Sequence, residues 1–413
     1  MIPRVLRNRP VVGREVATTF LRWTCMRAAF HRGYVLVSLL YFVVNAHLSA
    51  SQLLVLSTVV AVTLVLSDIP AGVWSDAFSR KWPLVIGHGF LAAGMVMTGV
   101  VTAFPLIVVT QVLWGLGWAF SMGADVAWVT DELDRPERMA RVLMARARWD
   151  LVGGATGMVA FGVLGWAAGL ATAIVVSGAA MTLLGLFVAA RFTEDNFIRA
   201  REQRWNASLS IFRRGLFLAR RDHEILLVFA ATMIISGAGV ISWLFPKQLI
   251  NVGFPNDPVL WLTALGVLSS AVGVVALHIV EVRIDGVGVA RRMYALACFI
   301  GVIGLVVLAY APDALIGGAG VLLVGGIAFN VTRAVSVIWV NRRVTSDVRA
   351  TVHSFLSQAE TIGKIVGGFA LAVLARVAGI SVTLVTSGAL IACAGVMVAR
   401  SRADRATTPA ARR

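Results

Sequence analysis

Ionisable side chains inside long apolar stretches are the residues of this sequence that could do chemistry. Each costs roughly 2.5–3.5 kcal/mol at the middle of a membrane helix, so each needs a partner or a function. We therefore take eight such residues as candidates for substrate binding or proton transfer. They are Arg27, His31, Arg32, Asp68, Asp125, Asp150, Arg333 and Lys364.

Three of the candidates lie in the first apolar stretch. Arg27 and His31 are four residues apart and therefore share one face of a helix. Arg32 lies near the middle of the stretch, where its guanidinium could hold an anionic group or a membrane acid. If the membrane segment began near residue 33, all three would lie among headgroups instead. The remaining YVLVSLLYFVVNAH would then be short for a crossing.

Two acids in other apolar stretches need partners. Asp125, in GADVAWVTDEL, is expected either to bind and release a proton or to be fixed in an ion pair. Its candidate partners are Arg27, Arg32, Arg146 and Arg148. Asp68, in LSDIPAG, is expected at a depth similar to that of Arg27, with which it could form a salt bridge.

A weak internal repeat pairs two further candidates. RPERMARVLMARARWDLVGG at 135–154 and RATVHSFLSQAETIGKIVGG at 349–368 both begin with Arg and both end in Gly-Gly. Lys364 falls opposite Asp150 in this alignment, and both are expected to face a cavity. Paired halves of this kind are how many secondary transporters are built.

Two tryptophans are weaker candidates. Trp114 and Trp118 are four residues apart in QVLWGLGWAF and could line a binding site. Packing in the core is the more ordinary role for aromatic residues at this spacing.

Composition shows what kind of molecule must position these residues. Of the 413 residues, 58% are hydrophobic and 14% charged, against about 25% charged in soluble domains. The apolar excess must therefore face lipid. The net charge of the chain is +16, but the basic residues are dispersed between apolar stretches. This distribution argues against nucleic acid as a partner. Three cysteines without a spacing pattern indicate neither a disulfide framework nor a metal site.

The apolar stretches predict an all-α integral membrane protein with twelve transmembrane helices. Crossing about 30 Å of hydrocarbon takes about 20 helical residues, and helices satisfy their own backbone groups there. The predicted spans are 20–46, 52–74, 82–102, 106–130, 143–167, 170–191, 224–247, 258–280, 292–311, 314–340, 350–376 and 380–399.

Basic residues give the orientation and the domain division. They concentrate in alternate connections, which places those connections and both termini in the cytoplasm. The longest polar stretch follows span six and separates two pseudo-symmetric six-helix bundles. The predicted parts are a basic N-terminal tail 1–19, a bundle 20–191, a cytoplasmic linker 192–223, a second bundle 224–399 and a basic C-terminal tail 400–413.

A charged turn, GVWSDAFSRKWP at 72–83, joins spans two and three. Its Gly lets helix ends approach closely, and its Asp can meet the positive end of a neighbouring helix. Arg80 can pair with acids that close span four at the same level. We expect a cytoplasmic gate made of Gly72, Asp76, Arg80, Lys81, Asp131 and Glu132. The alternative is that Arg80 and Lys81 only determine topology.

The pattern G-x-x-x-D-x-x-x-R-K resembles the signature loop of the major facilitator superfamily. The twelve spans, the division into six and six and the long middle loop fit as well. The resemblance implies alternating-access transport of a small organic solute, as in the drug-efflux-like group of proton-coupled exporters. Gln111 departs from this pattern, because drug/proton antiporters have at its place an Arg implicated in proton handling.

The resemblance also implies partners and a location. We expect a monomer in the plasma membrane that contacts a small-molecule substrate and the lipid bilayer, uses a proton gradient and needs no cofactor. Two alternatives remain open, a transport-inactive scaffold or sensor and an uptake permease for an anionic metabolite. An enzyme is disfavoured because the six His are scattered and form no cluster of metal ligands. No G-x-x-x-x-G-K loop occurs, so ATP is not expected to drive transport through this chain.

Overall fold

The computed structural model describes residues 9–133, 136–197, 223–254, 257–284, 286–343 and 346–400, and every regular element in these ranges is helical. The predicted C-terminal tail after residue 400 and most of the predicted linker lie outside the described residues. The helices, in chain order, are α1 Arg9–Val44, α2 Ala50–Ala77, α3 Lys81–Val100, α4 Phe104–Ser121, α5 Ala124–Leu133, α6 Pro136–Ala168, α7 Leu170–Arg191, α8 His223–Gly239, α9 Phe245–Val252, α10 Pro258–Arg283, α11 Gly286–Ala309, α12 Ala314–Val321, α13 Phe329–Arg343 and α14 Ser346–Arg400.

Ten helical stretches among the described residues are long and apolar enough to cross a membrane. The stretch Val352–Arg400 is long enough for two crossings, and its backbone breaks at Gly379, where φ is 80°. α1, with 36 residues, is also long enough to cross a membrane. Its charged residues make it too polar to count among these ten stretches. The protein is therefore an all-α integral membrane protein whose helices are consistent with twelve crossings.

Local capping explains where some helices begin. Ser49 Oγ accepts the N–H of Gln52 at 3.2 Å, and the Gln52 side chain accepts the N–H of Ser49 at 2.8 Å. This reciprocal pair satisfies two N–H groups that have no partner inside α2. α1 begins at Arg9, within the segment predicted as an N-terminal tail, because helical structure does not stop where the apolar stretch stops.

The fourth predicted span, 106–130, lies within one stretch of membrane-spanning length, Phe104–Leu133, but its helix is interrupted. α4 ends at Ser121 and α5 begins at Ala124. Gly123 between them has φ of 82°, a left-handed conformation that glycine adopts without steric cost. The break places Asp125 in the first turn of α5, where the helix dipole favours a negative charge.

Two spans of the second half also depart from regular α-helix. The 3₁₀ segment Val240–Leu244 joins α8 to α9. The π-helical segment Leu322–Ala328 joins α12 to α13. Asn330 Nδ2 donates to the carbonyls of Gly325 and Gly326 at 2.8 and 2.9 Å, so its side chain supplies a donor where the regular pattern is lost.

The described residues divide into two compact units. Those within Met1–Ser210 and Phe254–Val267 form the first unit, and those within Ile211–Gly253 and Leu268–Arg413 form the second. The predicted bundle boundaries at 20–191 and 224–399 remain predictions.

Glycines bring α1 and α6 into close contact in the first unit. A Cβ on Gly153 would overlap the carbonyl oxygen of Cys25, and a Cβ on Gly157 would overlap that of Ala29. Small residues four positions apart allow two membrane helices to pack backbone to backbone. These two glycines therefore set the separation of the helices that carry Arg27 and Arg146.

The second unit uses the same device on α14 and α8. A Cβ on Gly363 would overlap the carbonyl oxygen of Met233, and a Cβ on Gly367 would overlap the backbone of Gly237. Gly153 and Gly367 are aligned in the sequence repeat. The repeat therefore corresponds to a shared mode of helix packing in the two units.

We predict that Gly157→Ala lowers the thermal unfolding midpoint of the purified protein. The added methyl group cannot fit against the Ala29 carbonyl without moving a helix, and overpacking of this kind typically costs about 1–3 kcal/mol. Gly89→Ala is the matched control, because a Cβ at Gly89 meets nothing within 4 Å. Equal midpoints for the two variants would contradict the close packing.

Candidate functional site

The buried carboxylate of Asp125 is the group on which the charged residues of the first unit converge. Asp125 is 2% exposed. Its Oδ2 lies 2.5 Å from Arg146 Nη2 and 3.7 Å from Arg27 Nη2. Its Oδ1 accepts the N–H of Val126 at 2.8 Å. Of the predicted partners, the structure brings Arg27 and Arg146 to Asp125, so the acid is held in an ion pair in this conformation.

Aromatic rings cover Arg27, the more deeply buried of the two arginines. Its guanidinium carbon lies 4.6 Å from the ring centroid of Trp23 and 5.3 Å from that of Trp118. A guanidinium is weakly hydrated and stacks well on aromatic faces, so these rings replace part of its lost hydration. The predicted pairing of Arg27 with Asp68 is wrong, because Arg27 turns towards Asp125 while Asp68 is exposed on α2.

Next to Arg27 lies an aromatic cluster made of His31, Trp114 and Trp118. The His31 ring stacks on Trp114 at 5.5 Å between centroids and meets Trp118 edge-on at 4.7 Å. The predicted shared face of Arg27 and His31 is confirmed, because both side chains contact Trp118. Sequence spacing placed the two tryptophans on one helix face but gave no sign that His31 lies against them.

Three nitrogen atoms of the aromatic cluster are buried without a hydrogen-bond partner among the described residues. They are His31 Nε2, Trp114 Nε1 and Trp118 Nε1. Leaving a buried donor or acceptor unsatisfied costs about 1–3 kcal/mol. Such groups are uncommon in folded proteins, so three on touching side chains make this cluster a candidate binding site.

The remaining candidates of the first unit do not join the Asp125 ion pairs. Arg32 is exposed and lies against α6, where its Cγ would be 3.1 Å from a Cβ on Gly154. Arg148 is exposed, and Asp150 is half-buried. Arg32 is therefore an exposed cation on α1, in contrast to the buried Arg27.

The second unit carries its own charged group. Arg333 Nε lies 3.3 Å from Glu360 Oε1, and the Arg333 side chain is 74% exposed. Lys364 is exposed one helical turn after Glu360, so the two share a face of α14. Glu360 therefore serves as the acid between two of the predicted cations.

This unit also holds a buried ion pair that was not predicted. Arg291 pairs with Glu224, and Trp339 Nε1 donates to Glu224 at 3.0 Å. The guanidinium carbon of Arg291 lies 5.5 Å from the ring centroid of Trp339. Charges near the ends of apolar stretches ordinarily only anchor a helix, so the sequence gave no reason to select these residues.

The predicted gate residues form a cluster at the end of α2. Arg80 pairs with Asp76 one turn before it, and Arg80 Nε lies 3.3 Å from Asp131. The predicted pairing of Arg80 with Asp131 is confirmed. The pairing with Glu132 is wrong, because Glu132 instead accepts the N–H of Asn196 at 3.0 Å. Gly72 lies one turn before Asp76 on α2, and the Lys81 ammonium lies 5.9 Å from the Trp82 ring centroid.

Glu194, which was not predicted, completes the gate cluster. Its carboxylate accepts the backbone N–H groups of Arg80 and Lys81, the latter at 2.9 Å. It also accepts the Ser79 hydroxyl at 2.7 Å. The first N–H groups of α3 have no partner within that helix, so Glu194 caps α3 from a distant part of the chain.

We predict that Glu194→Ala lowers the thermal unfolding midpoint, because the N-terminus of α3 loses its cap. Loss of a helix cap costs about 0.5–2 kcal/mol. Asp195→Ala is the control, since it removes the same charge from an exposed neighbouring residue. If the two variants unfold at the same temperature, Glu194 contributes charge rather than capping.

Comparisons with known proteins agree with this fold. A solved structure of the nucleoside transporter NupG has a TM-score of 0.77 and 13% identity, and covers 94% of this chain and 100% of its own. A structure of a bacterial homolog to the human lysosomal transporter Spinster, in an inward-facing conformation, has a TM-score of 0.72 and 13% identity. It covers 94% of this chain and 96% of its own. A structure of the peptide transporter POT has a TM-score of 0.71 and 11% identity, and covers 95% of this chain and 97% of its own. No curated protein matches the sequence.

The family is shown by a match that covers most of the chain. Residues 24–368 match the family model described as Major Facilitator Superfamily. This range contains every candidate residue of both units and the gate cluster. The match and the neighbouring folds are those of transporters, so the protein is a transporter rather than an enzyme. The chain belongs to the Major Facilitator Superfamily.

Proposed function

We propose that the protein is a secondary active transporter that moves a small organic solute by alternating access. The observation that carries this proposal is that each unit holds charged side chains within its membrane helices. The first unit holds Asp125 with Arg27 and Arg146, and the second holds Glu360 with Arg333.

The cost of these charges supports a transport role. A charge near the centre of a membrane helix costs roughly 2.5–3.5 kcal/mol, and such residues ordinarily face a water-filled cavity or a substrate path. Arg32, Arg333 and Lys364 are all exposed in helices of membrane-spanning length. A structural ion pair would not need these three side chains to be accessible.

We propose that Asp125 couples transport to a proton gradient. Its carboxylate is the acid on which Arg27 from α1 and Arg146 from α6 converge. A proton on this carboxylate would remove the charge that holds both arginines and would release α1 and α6 from their ion pairs with α5. Coupling would thus consist of the binding and release of one proton where α1, α5 and α6 meet.

We propose export as the direction, which rests on the resemblance of the chain to the drug-efflux-like group of this family. The second candidate function is uptake of an anionic metabolite, which the exposed cations Arg32, Arg333 and Lys364 favour. Uptake measured in right-side-out and in inverted vesicles separates the two directions. We place the protein in the plasma membrane as a monomer with both termini in the cytoplasm.

We predict that Asp125→Asn abolishes the response of transport to an imposed pH gradient. The amide cannot bind or release a proton, yet it keeps the shape of the side chain. Asp195→Asn is the control, because Asp195 is exposed and does not contact Arg27 or Arg146. The measurement is solute flux in reconstituted vesicles, with and without the gradient. A variant that still responds fully would remove Asp125 from this role.

We predict that Asp76→Asn slows transport at least tenfold while expression stays normal, because Arg80 loses one of its two acids. Wild-type vesicles should exchange solute, whereas protein-free vesicles should not. Failure of the wild-type protein to exchange any solute would favour a transport-inactive scaffold instead. An Asp76→Asn variant with wild-type rates would show that the cluster does not act as a gate.

A further inference from the structure

We infer that the aromatic cluster of His31, Trp114 and Trp118 binds the carboxylate end of a planar organic anion. This inference names the substrate class and so rests on the proposed transport function. It depends on three observations, which are the unpaired nitrogen atoms, the surrounding charge and the shape of the rings.

The unpaired nitrogen atoms define the hydrogen bonding that a ligand must supply. An indole nitrogen can only donate, so Trp114 and Trp118 both require an acceptor. A carboxylate is an acceptor with two oxygen atoms, and a charged acceptor forms stronger hydrogen bonds than a neutral one. His31 Nε2 can supply a third bond, either as donor or as acceptor.

The charge on the helices that carry the cluster favours an anion. α1 and α4, which carry the three rings, have no acid other than Glu15, and Glu15 is more than four helical turns from His31. The nearest paired acid, Asp125, already lies between Arg27 and Arg146. Arg27 and Arg32 lie on either side of His31 along α1, so they would attract a ligand carboxylate and repel a ligand ammonium group.

The rings set the shape of the ligand. His31, Trp114 and Trp118 are half-buried although their unpaired nitrogen atoms are covered, so their exposed surface belongs to other atoms. Aromatic surface of this kind favours a flat apolar body through offset or edge contacts. Ring movement that uncovers the indole N–H groups would therefore accompany binding of the carboxylate.

Binding in lipid nanodiscs tests the inference. Isothermal titration calorimetry with 2-naphthoate and with 2-naphthylmethylamine compares two ligands of the same ring and opposite charge, with empty nanodiscs as the blank. We expect the wild-type protein to bind the anion at least tenfold more tightly than the amine. Equal binding of the two ligands, or binding of neither, would overturn the inference, and the latter would leave water as the partner of the nitrogen atoms.

Variants locate the binding. Trp114→Phe and Trp118→Phe keep a ring but remove the N–H, and each should weaken 2-naphthoate binding about tenfold or more. Trp166→Phe is the control, because Trp166 is exposed near the end of α6. Thermal unfolding of each variant shows whether it is folded. Folded variants that bind as tightly as the wild type would overturn the inference.

The transport proposal and the inferred binding site can be refuted independently of each other. Protein that binds 2-naphthoate through both indoles but moves no solute in vesicles would support the binding site and refute transport. Protein that moves organic anions equally well in the wild type and in both Phe variants would support transport and refute this site.

Discussion

The ion pairs of Asp125 are the interaction on which the first unit depends. Two arginines from different helices lie within the protein because one carboxylate compensates their charge. Removing one member of a buried pair typically costs 3–5 kcal/mol, since the remaining charge is left without a partner. Helix positions, the break at Gly123 and the glycine contacts between α1 and α6 must therefore all be compatible with this one carboxylate.

Each unit surrounds a buried arginine with an acid and a tryptophan. In the first unit Arg27 lies between Asp125 and the rings of Trp23 and Trp118. In the second, Arg291 pairs with Glu224 beside Trp339. A guanidinium buried in this way keeps a counter-ion on one side and a polarisable ring on the other, which lowers the cost of its lost hydration. The two units thus solve the same electrostatic problem with different residues.

Sequence alone predicted the features that depend on composition and on spacing along one helix. The membrane helices and the shared face of Arg27 and His31 follow from composition and such spacing. The pairing of Arg80 with Asp131 follows instead from the expected position of two helix ends at the same level of the membrane. Asp68 was misplaced because similar depth in the membrane does not fix the direction in which a side chain points. The break at Gly123 was missed because glycine also occurs within continuous membrane helices.

Contacts between distant parts of the chain lay beyond the sequence analysis. Glu194 caps α3 across more than a hundred residues, and nothing in RFTEDNF distinguishes it from Asp195. His31 meets Trp114 and Trp118 only because α1 and α4 carry them to the same place. Such contacts depend on tertiary packing, which cannot be inferred from any short stretch of a single sequence.

The balance of charge in the two units has a common consequence. Asp125 serves two arginines, and Glu360 serves Arg333 with Lys364 one turn away on the same face. Each group thus has one acid among its closest charges for two cations and keeps a surplus positive charge there, with Asp150 acting on Arg27 from a greater distance. Such a surplus is costly when it is dry, so it requires water or an anionic partner. A solute that carries a negative charge would supply what both units lack.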